Sequence, residues 1–144
     1  MSFQWLNMRI QEEKERRQRE TNIVERLPRA LEELFNSVML CVEDYNRAFG
    51  SEAADAVLLP SKIKVTVREP RDSKWVVASK VEVLSIVALP GFQIDRGETS
   101  LAIEVGLLPE DKLFYRDREH DKYLSMEDLT RRVLDRVFFP KLQE

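Results

Sequence analysis

The chain has 144 residues, 43% of them apolar and 34% charged, enough of both for one packed domain with a hydrated surface. Its 23 Lys and Arg against 26 Asp and Glu leave a net charge of −3, which argues against a general nucleic-acid binder, since such a protein needs surplus positive charge to displace counterions. No apolar run approaches the length that spans a bilayer, so no membrane partner is expected. Cys41, the single cysteine, has no internal disulfide partner. With no leader pattern visible, a cytoplasmic location is expected.

Charge and pattern change at the same place. Residues 1–56 carry 8 basic and 11 acidic side chains, whereas residues 57–144 carry 15 of each. Apolar spacing is helical before Gly50 and alternating after Pro60, which predicts a helical section, 1–56, and a sheet section with a C-terminal helix, 57–144, within one folded domain.

The clearest predicted helix covers Arg29 to Phe49. Leu31, Leu34, Phe35, Val38, Cys41, Val42 and Tyr45 recur there at intervals of three and four, forming one apolar stripe. Gly50 follows, where a residue with positive φ would end the helix. The same frame runs back through Leu27 and Val24, and then, across Gln11 to Asn22, reaches Ile10, Leu6 and Phe3. The intervening twelve residues carry no apolar side chain. Glu12 and Arg16, Glu13 and Arg17, and Glu15 and Arg19 stand four apart with the acid first, which predicts a solvated, salt-bridged helix. Pro28 predicts a kink or break near Leu27, because it removes a hydrogen bond and crowds the preceding turn. An unbroken helix from Phe3 to Phe49 would be about 70 Å long, twice the diameter of roughly 37 Å expected of a compact domain of this size. The N-terminal helix must fold back at Pro28 or project.

Ser51 to Ala56 reads as a connector. Ile63, Val65 and Val67 then alternate with polar residues, the pattern of a strand with one wet face. Pro70-Arg71-Asp72 predicts a turn. The run from Trp75 to Leu89 is apolar on both parities towards its end, which predicts a strand covered on both faces. Pro90-Gly91 suits a type II turn, and Asp95-Arg96-Gly97 a hairpin with Gly97 at positive φ. Leu101 to Val105 and Leu113 to Tyr115 follow as strands, separated by a turn at Pro109-Glu110-Asp111. Ser125 and Asp128 have capping spacing ahead of Met126, Leu129, Val133, Leu134, Val137 and Phe138, and Pro140 ends that helix. The fold class is therefore α+β: an antiparallel meander of four to five strands, packed by a long kinked N-terminal helical arm and a C-terminal helix.

No motif supplies a catalytic, cofactor-binding or metal-ligating residue set. The four glycines do not fall in a phosphate-cradling spacing, and one histidine with one cysteine lacks the usual zinc arrangements. His120, in Asp117-Arg118-Glu119-His120-Asp121, has two readings. As a functional group it would be a general base or metal ligand oriented by Asp117 or Asp121, serving a small-ligand-binding protein or metal-assisted enzyme. As a structural element it belongs to a solvated loop of ordinary composition. Cys41 reads as a core residue on the apolar stripe. Lys14, Arg16, Arg17 and Arg19 do not share a helix face, so they read as partners of the neighbouring glutamates.

Phe3, Trp5, Leu6, Met8 and Ile10 are the most informative group, because five large apolar side chains at the tip of an arm need a surface to cover them. Two solutions are expected: docking on the chain's own sheet over Leu84 and Ile86, or docking on another subunit. The function read from the sequence is a non-enzymatic protein-interaction module, expected to be a homodimer or to bind another protein through this arm.

Overall fold

The computed structural model describes residues 3–143. One helix, α1 (Gln4–Phe49), precedes seven strands: β1 (Ala54–Leu59), β2 (Lys62–Arg71), β3 (Lys74–Ile86), β4 (Gly91–Asp95), β5 (Ser100–Leu107), β6 (Leu113–Asp117) and β7 (Lys122–Leu124). Helix α2 (Met126–Phe138) and a short 3-10 turn at Pro140–Leu142 close the described chain. All strand pairs are antiparallel and follow sequence order from β1 to β7. The α+β class holds, and the strand count is seven rather than four to five. The extra strands are β1 and β7. Ala53 and Ala54, inside the stretch expected to be a connector, are buried where β1 starts. The three residues of β7 are too few for an alternating pattern to show.

Alternation sorts the sheet into two faces. Ile63, Val65 and Val67 of β2, Val81 and Val83 of β3, Phe92 and Ile94 of β4, and Leu101, Ile103 and Val105 of β5 turn inward and are buried. Against them lie Ile23, Leu27, Ala30, Leu31, Leu34, Val38 and Val42 of α1, and Leu129, Val133, Leu134 and Val137 of α2. The two helices meet through Ser37 and Thr130, whose hydroxyl oxygens are 2.8 Å apart. Thr130 donates its own proton to the Met126 carbonyl, so Ser37 is the donor between the helices. The Ser125 hydroxyl accepts from the Asp128 N–H at 3.1 Å, the cap expected from the sequence.

Strand β3 is not covered on both faces. Pairing passes from Val67 with Ser79 to Arg68 with Val77, leaving Ala78 as an extra residue. Such a bulge reverses parity along the strand. Val77, which shares the parity of Val81 and Val83 in the sequence, therefore emerges on the outer face and is exposed. Val87 and Leu89 lie beyond the strand end and are exposed too. Ser79 stays inward, and its hydroxyl donates to the Val137 carbonyl of α2 at 2.7 Å.

Two turns also differ from expectation. The β2–β3 turn is Asp72-Ser73, both at positive φ, so β2 runs on through Pro70 and Arg71. Gly91 is the first residue of β4 and is not at positive φ. What requires glycine there is close approach, since an added Cβ would stand 2.1 Å from the Ile103 carbonyl oxygen. Gly97 does take positive φ, and its N–H donates to the Asp95 carboxylate at 2.9 Å.

Helix α1 continues through Pro28 without a break. Pro28 is exposed while Leu27, Ala30 and Leu31 are buried. The missing hydrogen bond thus falls on a helix whose apolar contacts hold it on both sides of the proline. With 46 residues the helix is about 70 Å long, so the arm projects instead of folding back. Replacing an exposed interior proline restores one hydrogen bond and costs no packing. Pro28→Ala should raise stability by about 1–3 kcal/mol, read as a higher urea midpoint. A lower midpoint would show that the proline ring is needed for packing.

Candidate functional site

Inward parity does not stop at the apolar residues. In β6, Leu113, Tyr115 and Asp117 share the core-facing parity, and Asp117 is 0% exposed. One step past β4, Arg96 continues the parity of Phe92 and Ile94, and its guanidinium donates to the Arg132 carbonyl of α2. On the flank of α2, Asp128, Arg131, Arg132, Asp135 and Arg136 recur at intervals of three and four, beside the apolar stripe. These elements, with Thr99, Ser100, His120 and Tyr123, border a cavity of about 750 Å³.

Asp117 organises the loop around it. Its Oδ1 accepts the backbone N–H groups of Glu119 at 3.0 Å and His120 at 3.2 Å. Its Oδ2 lies 2.9 Å from His120 Nδ1 and 3.5 Å from Arg132 Nε. Burial alone would push this carboxyl up. The hydrogen bonds from His120 and the charges of His120 and Arg132 outweigh it and hold the group below the usual carboxylate range. The His120 side chain is 56% exposed, so the loop is neither fully solvated nor closed. With Nδ1 engaged by a buried carboxylate, its orientation is fixed and Nε2 is the remaining ring nitrogen. Among the described residues, no three His, Cys, Asp or Glu side chains converge to hold a metal.

The cationic groups are less well satisfied than the carboxylate. Arg96 Nε and Arg132 Nε are buried without a hydrogen-bond partner among the described residues. Burial lowers the pKa of Arg96, and the charges of Arg136 and Arg132 lower it further, against a smaller opposing effect of Asp117. Arg96 is thus close enough to Arg132 and Arg136 to be repelled by both.

The other sequence-predicted groups are placed as follows. Cys41 is partly buried against the core, where burial and then Asp44 and Glu127 push its thiol up; it is not an activated nucleophile. Along the arm, Glu13 pairs with Arg17 as expected, but Arg16 bridges Glu13 and Glu20, and Glu12 takes Arg9. Phe3, Trp5, Leu6, Met8 and Ile10 remain between 41% and 66% exposed. Leu84 and Ile86 are half-buried on the outer face of β3, paired across the ladder with Lys62 and Gln93, and with Gly91. The chain does not bring its own tip onto them. No described helix is long and apolar enough to cross a membrane.

Comparison with protein-family models, curated proteins and solved structures finds no match. The class defined by this fold is a seven-stranded antiparallel meander with two helices on one face and a projecting helical arm.

Because the folded-state pKa of Asp117 lies below its unfolded value, its contribution is complete at neutral pH. It is lost as pH falls below about 4 through the depressed value. Asp117→Asn should therefore destabilise at pH 7 by about 1–3 kcal/mol, with the gap to the unmodified protein narrowing at pH 3. Urea titrations at the two pH values would check this; a gap of equal size at both would refute the ionised-carboxylate account.

Proposed function

We propose that this protein is a non-enzymatic interaction module that homodimerises through its N-terminal arm. One observation supports this reading above the others: an unbroken helix holds Trp5, Leu6, Met8 and Ile10, with Phe3 at its N-cap, away from the body, each about half exposed. Full burial of such a side chain is worth about 1.5–3 kcal/mol, and each is about half exposed already. One arm then returns on the order of 4–8 kcal/mol, against an association cost of about 4–15 kcal/mol. A single arm falls short of that cost over most of the range. Two arms exchanged about a two-fold axis double the return at one association cost, which favours a second copy of this chain over an unrelated single-site partner. The receiving surface is the uncovered outer face of the sheet around Leu84 and Ile86. The arm surface between Gln11 and Asn22 is solvated by internal ion pairs, so it bridges body and tip without needing a partner of its own.

Light scattering on the full chain should give the mass of a dimer at micromolar concentration. Deletion of residues 1–22 should give a monomer, and Leu6→Asp with Ile10→Asp should do the same while leaving the helical circular-dichroism signal in place. A monomeric full chain at every concentration would overturn the proposal.

A further inference from the structure

The cavity between α2 and the two turns at β4–β5 and β6–β7 is lined by arginines from both sides. Arg96 comes from the β4–β5 turn, and Arg132 and Arg136 stand one turn apart on α2. Among the described residues, neither Arg96 nor Arg136 has a carboxylate within ion-pair distance; Arg96 Nε is buried without a hydrogen-bond partner, and Arg132 Nε has only the 3.5 Å ion pair with Asp117. Arg96 is repelled by both neighbouring guanidiniums, and its buried donor without an acceptor costs free energy. Both penalties vanish when a multiply charged oxyanion sits among them. The acidic groups on the same wall are largely engaged: Asp117 with His120 and Arg132, and Asp135 with Arg131 at 3.7 Å. Glu119 and Asp128 remain, opposed by Lys122 as well as by the arginines.

We propose that Arg96, Arg132 and Arg136 form a binding site for a phosphoryl group. A phosphoryl group presents three oxygens and close to two charges, matching several planar donors, whereas a carboxylate would satisfy one guanidinium. The hydroxyls of Thr99 and Ser100 border the same space and add neutral donors. The volume of about 750 Å³ lies in the range of small-molecule sites and exceeds what one inorganic ion fills. Tyr123, Leu101 and Leu124 line the remainder, giving an organic portion an apolar edge. The source of the phosphoryl group is either free phosphate or a small phosphomonoester. The site is independent of the arm and needs no second subunit.

The test is calorimetric titration of the full-length protein with inorganic phosphate and with phenyl phosphate, at constant ionic strength in chloride buffer. Saturable binding is expected, weakened at least tenfold in Arg136→Gln and in Arg96→Gln, and unchanged in Arg47→Gln at the far end of α1. Tighter binding of phenyl phosphate assigns the site to a phosphomonoester; equal binding assigns it to the free ion, and either supports the proposal. A second readout guards against misfolding: without ligand, Arg136→Gln should melt at the same or a higher temperature, because it removes one repelling charge. No saturable binding of either probe at millimolar concentration, or binding that survives both substitutions, would overturn it.

Discussion

The seven-stranded sheet has one apolar face, and everything else in the molecule follows from how that face is covered. Two helices share the task. The valines and isoleucines of β2 to β5 pack against the stripe from Ile23 to Val42 and against Leu129, Val133 and Val137. The buried stripe of α1 begins only at Ile23. Ahead of it the helix presents polar residues, several of them ion-paired, from Gln11 to Asn22 and apolar residues only at its end. Burial, rather than helix propensity, sets where the arm begins.

The same constraint creates the cationic cavity. Core parity runs out at the ends of β4 and β6, yet the backbone geometry continues to aim side chains inward. Arg96 and Asp117 occupy those positions, and α2 meets them with Arg132 and Arg136 rather than with leucine. Asp117 is stabilised by His120 and two backbone N–H groups; the arginines keep unspent donors. An apolar core that turns polar at one edge, with Asp117 satisfied and Arg96 keeping a buried free donor, is organised differently from a solvated loop of the same composition.

Much of this architecture was legible in the sequence, and the failures have specific causes. The helical stripe, the Ser125 cap and the positive φ of Gly97 each rest on local chemistry, which the chain carries in a few adjacent residues. Ala78 defeats the period-two reading of β3, because one inserted residue moves Val77 to the opposite face without any change in composition. Pro28 signals a break whose enforcement depends on tertiary contacts, and buried Leu27, Ala30 and Leu31 override it. The site was half visible: His120 and Asp117 stood out as a crowd of titratable groups. Arg96 could have been found by extending the parity of Phe92 and Ile94 one step further, and the α2 arginines by noting a second stripe beside the apolar one.

The contact between Ser37 and Thr130 joins residues 93 apart in sequence, and this has a consequence for synthesis on the ribosome. Translation at about 5–20 residues per second delivers the greasy stripe of α1 many seconds before α2 exists to close over the assembly. The hairpins of the meander, each linking neighbours in order, can form one after another as they emerge. Until β2 to β5 are out, the nascent helix has nothing to lie on, and that interval is when the newborn chain is most exposed to aggregation and most in need of a holding chaperone.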